Sequence, residues 1–568
     1  MSEQPESKSE ERFERMVTVL IASVAVWVAI TVYFQNYASN LSDQARRRAQ
    51  ESSIAATKKE VVGAIQYSYH WQSAYQIWSE IDWQKVAAEQ AGDTATADRY
   101  AKLKEKIAAL SEMLGSKYFD PAADKFINPG KYEADLYLVE ATRLTEVYAA
   151  EAELGNVTNN IADALVVQIT LLTVSLSLYG LSMALKGGVR WLFVIIGTGI
   201  VGVCALWLGK SLIDILARPE VNHSAINAYA EGTGLAYQGK YDEAIVKFNE
   251  AIVQKTNYKM AYSKLGDAYY NKDDLAAAIA NYEAARKAGL DDVNINWNLG
   301  WSYYLTGQYS QAIEADERIL SHDASVLGMR MNEAIAYLAA GDLTNAQRQY
   351  DLLNQEAERQ VDEAHQRKLE PPASLWYYMD AGAIDLQNLI DQLDQDPKEW
   401  TQAPKPDLLA GDHAVIRKFA DKQMTRIKET VVALEYSGKL PTAQNAVKVQ
   451  PFKFGKITGK NAEGLITGFE ATPDAVFFYG TDTKSVTVEF TYDGAPPKQL
   501  VWKVYLNGVE NQSLRAVSND DISSGSTWYK TFGYGFTDTF ILSSGEYVVE
   551  LYADLKLAQI GKFYVKEK

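Results

Sequence analysis

The chain has 568 residues, too many for one hydrophobic core, so roughly three to four modules are expected. Its formal net charge of −17 excludes the basic footprint that nucleic-acid backbones require, so no nucleic-acid partner is expected. The lone cysteine, Cys204, permits no intramolecular disulfide, and the five histidines are scattered without ligand spacing, so neither a metal nor another cofactor is expected.

A polar tail, residues 1–15, leads into a charge-free apolar run over 16–34, about the length that crosses a hydrocarbon core as a helix. Glu10, Glu11 and Glu14 offset Arg12 and Arg15 ahead of it, unlike the basic start of a signal peptide. No small-x-small cleavage site follows, so an uncleaved anchor is the expectation.

Residues 35–160 read as an extramembrane helical domain. Amphipathic stretches cover Ser39–Ala91, Ala95–Leu114 and Tyr132–Leu154, with turn chemistry at Phe119-Asp120-Pro121 and Asn128-Pro129-Gly130. Aromatic residues gather at Tyr67, Tyr69, Trp71, Tyr75, Trp78 and Trp83. They fit a ligand pocket or a protein contact. Trp71, Tyr75 and Trp78, at i, i+4 and i+7, equally fit a single core stripe. A helical bundle held between two spans is also the architecture of bacterial sensory receptors, which keeps a ligand-binding reading open.

Two further apolar runs, 164–185 and 190–210, form a second pair of spans joined by the short link Lys186–Arg190. Its two positive charges place that tip in the cytoplasm, which puts residues 35–160 and everything after Gly209 outside. Arg46, Arg47 and Arg48 pull the other way. The expected location is a bacterial plasma membrane, with the lipid bilayer as one partner.

After the third span a 34-residue interval appears. Gly232, Gly266 and Gly300 keep it, as do Ala244, Ala278, Ala312 and Ala346, and as do Gly239, Asp273, Gly307 and Gly341. Leu265-Gly266 and Leu299-Gly300, the later aromatics Tyr269, Tyr303 and Tyr337, and Phe248, Tyr282 and Tyr350 complete the pattern. Over 225–360 the chain resembles the tetratricopeptide repeat (TPR) family, as four repeats. Asp316 stands where the third repeat should have an aromatic, and Glu333-Ala334 replaces Leu-Gly in the fourth. The resemblance implies an α-solenoid that stacks helix pairs around a concave groove and binds proteins.

Carried onto this sequence, the groove-lining positions are Tyr229, Thr233 and Tyr237, then Ser263, Asp267, Tyr270 and Asn271. Asn294, Trp297, Trp301 and Tyr304 follow in the third repeat, with Met331 and Ile335 in the fourth. This surface is aromatic and lacks the Lys, Arg and Asn clamp that grips a C-terminal carboxylate, so the implied function is peptide or protein binding in general. Trp297 and Trp301 fit either as apolar anchors for a partner or as packing against the chain's own next segment. That segment, 361–437, is a helical cap or linker. It is broken at Pro371-Pro372 and Pro404-Lys405-Pro406, and closes with an amphipathic helix over about Ala414–Tyr436.

Residues 450–568 turn to strand chemistry. Val486–Tyr492 and Val501–Leu506 alternate, with turns at Asp493-Gly494, Asn507-Gly508 and Ser544-Gly545, which predicts a β-sandwich. The closing hairpin resembles that of immunoglobulin-like domains in exported bacterial proteins. Trp528, Tyr529, Phe532, Tyr534 and Phe536 suit either a glycan-stacking platform or core packing.

No nucleophile elbow, phosphate loop or zinc-protease motif occurs anywhere in the chain. The fold class expected is therefore a mainly α membrane protein of three transmembrane helices, a helical bundle and a TPR solenoid, with a C-terminal all-β immunoglobulin-like sandwich. As a whole the chain resembles bacterial membrane-anchored TPR proteins. The expected function is that of a non-enzymatic, membrane-anchored adaptor or scaffold. A transmembrane sensor using the 39–160 helices and an envelope protein binding glycan are the alternatives.

Overall fold

The computed structural model describes residues 5–118, 127–395, 408–440, 448–479, 485–494, 496–518, 525–533 and 542–567. The Phe119-Asp120-Pro121 turn, the Pro404-Lys405-Pro406 run, and Tyr534 and Phe536 lie outside these residues. The chain forms two compact units, Met1–Leu290 and Asp291–Lys568.

In the first unit, helix α1 (Pro5–His70) runs through a π-helical turn at Trp71–Tyr75 into α2 (Gln76–Gln90). The apolar run and the amphipathic stretch beyond it are thus one helix without a break. Asp93 caps α3 (Thr94–Ala108) by accepting from the Thr96 amide at 3.0 Å. Asn128 caps α4 (Pro129–Glu133), which passes through a second π-helical turn, Ala134–Leu138, into α5 (Val139–Ala184). A tight link leads to α6 (Val189–Leu216). Three helices, Ser9–Gln90, Pro129–Ala184 and Val189–Leu216, are long and apolar enough to cross a membrane by length and composition.

Small residues set how closely α1 approaches α5. Ala38, Ser42, Ala45, Ala49 and Ala56 are buried, and Ser42 Oγ donates to the Gly155 carbonyl at 2.9 Å. Further out, Gly63 lies under Tyr137, and a Cβ there would overlap the ring. Phe13 of the N-terminal tail and, within the apolar segments, Val17 and Val24 pack with Leu172, Tyr179, Val194 and Cys204. Gln168 Nε2 donates to Ser211 Oγ at 3.1 Å, and Tyr179 and Thr198 share a hydroxyl hydrogen bond of 2.9 Å. In hydrocarbon such side-chain pairs between helices satisfy groups that water would otherwise serve.

The same unit ends with two helix pairs, α7 (His223–Tyr237) with α8 (Tyr241–Gln254) and α9 (Lys259–Tyr270) with α10 (Leu275–Lys287). The second unit opens with two more, α11 (Val293–Leu305) with α12 (Tyr309–Leu320) and α13 (Leu327–Ala339) with α14 (Leu343–Gln366). The 34-residue interval now has its physical cause. Gly239, Asp273, Gly307 and Gly341 sit at the turn inside each pair with φ of 74°, 62°, 76° and 76°. That left-handed conformation ends a helix and favours glycine. Ala244, Ala278, Ala312 and Ala346 are fully buried where the paired helices touch. Gly232 and Gly266 let the Phe248 and Tyr282 rings lie against the partner helix, since a Cβ would stand 2.7 and 2.6 Å from them.

Beyond the repeats, α15 (Ala373–Asp394) and α16 (His413–Ser437) follow. Ile416, Met424, Ile427, Val431 and Leu434 of α16 are buried, and Phe419 meets the Tyr350 ring of α14 at 6.4 Å.

The C-terminal region comprises β1 (Lys448–Val449), β2 (Lys453–Lys460), β3 (Ile466–Ala471), β4 (Val476–Phe478), β5 (Val486–Asp493) and β6 (Leu500–Leu506). It continues with β7 (Val509–Glu510), β8 (Ala516–Ser518), β9 (Thr527–Phe532), β10 (Gly545–Ala553) and β11 (Lys556–Lys566). One sheet joins β1, β2, β3, β5 and β9, and the other joins β4, β11, β10, β6, β7 and β8. The pairs are antiparallel except β4 with β11. Alternation in β5 turns Val486, Val488, Phe490 and Tyr492 inward against Trp502, Val549, Leu551 and Phe563 of the other sheet.

That second sheet also carries charge on its outer face, and α16 covers it. Lys503 is 2 % exposed and lies 3.0 Å from Glu435 and 3.4 Å from Glu510. Glu550, 1 % exposed, meets Lys428 at 2.5 Å, and Glu429 meets Lys556 at 2.8 Å. Val432, Val501 and Tyr552 form the apolar centre of this contact. The β region is therefore docked on α16 rather than tethered beside it.

Candidate protein-binding site

The residues expected to line the groove separate by burial. Tyr229, Tyr304, Met331 and Ile335 are buried. Thr233, Ser263, Asp267, Tyr270, Trp297 and Trp301 are half-buried, and Tyr237, Asn271 and Asn294 are exposed.

In the first unit, the chain's own α4 and α5 occupy much of the α7 surface. A Cβ on Gly234 would stand 2.5 Å from Val139 Cγ2. Tyr237 donates its hydroxyl to Glu133 at 2.5 Å, and Tyr137 donates to the other oxygen of the same carboxylate. That bond, with burial second, pushes the Tyr237 phenol up to about 12. Further along α5, Glu146 accepts from Tyr258 at 2.8 Å, and burial raises its carboxyl above the ordinary range. Val147 completes the contact by packing with Ala225, Tyr229, Phe248 and Leu265. Tyr229 is thus a core residue between Phe248 and Tyr258, with ring centroids 6.0 and 5.3 Å away.

On α9 the expected residues form a polar surface. Asp267 accepts from Lys264 at 2.8 Å and from the Tyr282 hydroxyl at 2.9 Å. Asn271 donates to the Asp267 carbonyl at 2.7 Å and accepts from Tyr241 at 3.3 Å. Ser263 and Tyr270 flank them on the same helix.

In the second unit, α15 takes the place expected for a partner. Trp297 packs on Tyr378 with ring centroids 5.5 Å apart, and it fits because position 328 is glycine, where a Cβ would overlap the indole. Met331 reaches α15 at Gly382, where a Cβ would overlap the thioether. Trp301 lies tilted against Tyr304, itself buried, with ring centroids 4.8 Å apart. Tyr229, Tyr304, Met331 and Ile335 are core positions, and Trp297, for which both readings stood open, packs on α15. Burial of these apolar faces by the chain itself is the physical reason.

A second cluster was only half legible in the sequence. Trp78 and Tyr75 are core, packed with Met113, Leu114, Ile127 and Tyr132, while Trp83 is 74 % exposed. Beside them His70 Nδ1 and the Tyr132 hydroxyl are hydrogen-bonded, and burial with Glu112 nearby pushes that phenol up to about 12. This pair stands next to the π-helical turn at Trp71–Tyr75, and Tyr132 lies just before the one at Ala134–Leu138. Such turns recur at functional sites, yet hydrophobic periodicity does not show them because each inserts only one residue. In the β region Trp528 packs against the core and Phe532 is buried, so two of the rings offered for glycan face inward. Among the described residues no group of three or more His, Cys, Asp or Glu side chains is placed to hold a metal ion.

Family models for tetratricopeptide repeats match residues 263–325 and 234–273. The chain therefore carries TPR repeats, and such repeats generally bind protein partners and are typically non-catalytic. No curated protein matches the chain. Among solved structures, the chain is similar to one described as MamA MSR-1 C2, at 16 % identity and a TM-score of 0.23, covering 28 % of this chain and 94 % of that one. It is also similar to Pseudomonas fluorescens alkylpurine DNA glycosylase AlkC bound to DNA containing an abasic site analog, at 10 % identity and a TM-score of 0.20, covering 73 % and 97 %.

Proposed function

We propose that the chain is a non-catalytic adaptor anchored in a bacterial plasma membrane by three helices, with its repeats and β region outside the cytoplasm. The observation that carries this reading is the presence of TPR helix pairs in one chain with three helices of spanning length. The two short-link charges, Lys186 and Arg190, favour a cytoplasmic hairpin tip. Of the opposing Arg46–Arg48 group, Arg46 and Arg48 contact α5. Arg48 lies 3.5 Å from Glu151, which is 5 % exposed, and Arg46 rests against Gly155.

In the first unit α5 covers the α7 face, and a partner is met on α9, where Asn271 is exposed and Ser263, Asp267 and Tyr270 are half-buried. In the second unit α15 covers Trp297, and a partner is met at exposed Asn294 on α11. Photo-crosslinking amino acids at Asn271 and Asn294, with exposed Val253 on α8 as the control, test this in intact cells. A discrete adduct from Asn271 or Asn294 and none from Val253 is expected. Absence of adducts at both positions removes the adaptor reading.

The sensor reading keeps one specific support, the His70–Tyr132 pair beside two π-helical turns. A saturable small-molecule ligand whose binding is lost in Tyr132→Phe would favour it.

A further inference from the structure

Beyond its apolar run, α1 carries apolar side chains on two faces. One, from Ala38 through Ala49 and Ala56 to Gly63, is buried toward α5. Turned away from it, Ile54, Val61, Val62, Ile65 and Tyr69 are 70, 52, 43, 64 and 65 % exposed. Positions i, i+7, i+8, i+11 and i+15 lie on a single stripe of an α-helix, about 23 Å long. With ordinary side-chain areas the five residues offer about 500 Å² of apolar surface, and the polar groups beside them extend it. A stable pair of proteins needs about 600–1,000 Å² from each partner, so this stripe approaches the lower end of that range.

We propose that the stripe is the seam of a parallel homodimer, in which α1 of one chain pairs with α1 of a second copy. The inference rests on the membrane-anchored reading, because α1 is continuous with the first apolar run. Anchoring sets every copy at one height and in one direction, so the stripe meets itself in register. Confinement to a membrane raises the effective concentration as well. The heptad spacing suits a parallel coiled coil, with Ile54, Val61 and Ser68 at d, Lys58 and Ile65 at a, and Val62 and Tyr69 flanking at e. A single lysine at an a position restricts register and strand number at some cost in stability. The seam is bounded at both ends. Arg47 and Glu51 occupy the same face nearer the apolar run, and the π-helical turn at Trp71–Tyr75 shifts the helical phase beyond Tyr69.

The test is disulfide trapping in native membranes, using the full chain with Cys204→Ser as background. Single cysteines replace Ile54, Val61 or Ile65 on the seam, and Glu60 or Gln66, which are exposed off it. Mild oxidation is expected to yield a dimer at the seam positions at least five-fold more than at Glu60 or Gln66. Adding Ile65→Asp to Val61→Cys is expected to cut the yield several-fold. Equal yields at all five positions, no dimer at any of them, or adducts only with another protein would overturn the proposal. Alkaline extraction of the same membranes reports independently on anchoring, so loss of that reading is distinguishable from loss of the seam.

Discussion

Asp316 occupies the position that Phe248 and Tyr282 hold in the first two repeats, facing Gly300 where they face Gly232 and Gly266. It is 1 % exposed, and neither carboxyl oxygen has a hydrogen-bond partner. Burial first, and Glu333 second, hold its carboxyl well above the usual carboxylate range. Glu333 is pushed up to about 7, by burial and then Glu317, with Arg330 and Arg348 opposing. Both groups have folded pKa values above their unfolded ones. The contribution of Glu333 is fully present below its unfolded value near 4.5 and is lost as pH rises through about 7; that of Asp316, fully present below its own unfolded value, is likewise lost as pH rises. The thermal midpoint of the protein should therefore fall between pH 5.5 and pH 8.5. Asp316→Leu should flatten that slope and add about 1–3 kcal/mol at the alkaline end, by removing an unsatisfied buried carboxyl. A wild-type midpoint that rises over the same interval would contradict this account.

Asp273 gives a smaller effect of the opposite kind, stored in the backbone. It holds φ of 62° where the other three repeats place glycine. Asp273→Gly should stabilise by a few tenths to about 1 kcal/mol, read from chemical denaturation, because the left-handed conformation costs an L-residue energy that glycine does not incur.

At the scale of elements, two helices hold positions that a homology-based groove would leave open. Gly328→Ala sets a methyl into the Trp297 indole, so it should loosen the seat of α15, at a cost of about 1–3 kcal/mol for overpacking. Faster amide exchange over Ala373–Asp394 in that variant, with α16 unchanged, is the expected observation. The charged contact between α16 and the β region predicts a larger loss. Lys503→Met leaves Glu435 and Glu510 with Arg515, 3.4 and 2.6 Å away, as their remaining cation, so the cost falls at the lower end of about 3–5 kcal/mol. Limited proteolysis should then release the β region as a fragment, whereas the wild-type contact protects it.

The elements themselves were legible because each rests on local chemistry. Gly239, Gly307 and Gly341 mark left-handed turns, Ala244 and its equivalents mark helix contacts, and the alternation from Val486 to Tyr492 marks a strand with one inner face. What covers what was not legible. Trp297 looks the same in sequence whether Tyr378 or another protein packs on it, and Tyr237 gives no hint of Glu133, which lies 104 residues earlier. Lys503 and Glu550 read as ordinary polar positions of half-exposed strands, and only the docking of α16 makes them buried. Long-range pairing is settled by shape and desolvation, which no local window contains.

For the whole molecule, orientation decides which partners the repeats ever meet. A cysteine at Glu463, exposed in the turn between β2 and β3, gives one readable probe, since Cys204 is buried within an apolar segment. Labelling of intact cells by a membrane-impermeant thiol reagent is expected under the proposed topology. Labelling only after lysis would reverse it and direct the search for partners to the cytoplasm.

The helix from Ser9 to Gln90 has no break where the apolar run stops. From the end of that run to Gln90 it continues for about 56 residues, or about 80 Å at 1.5 Å per residue. Such a rod is a ruler. Under the anchored reading it would fix how far from the bilayer the His70–Tyr132 pair stands, without any contact having to specify that height. Lengthening it by seven residues before Ser42, matched in α5, moves the reading point outward by about 10 Å and nearly keeps its facing, whereas adding four lifts it by about 6 Å and turns it by about 40°.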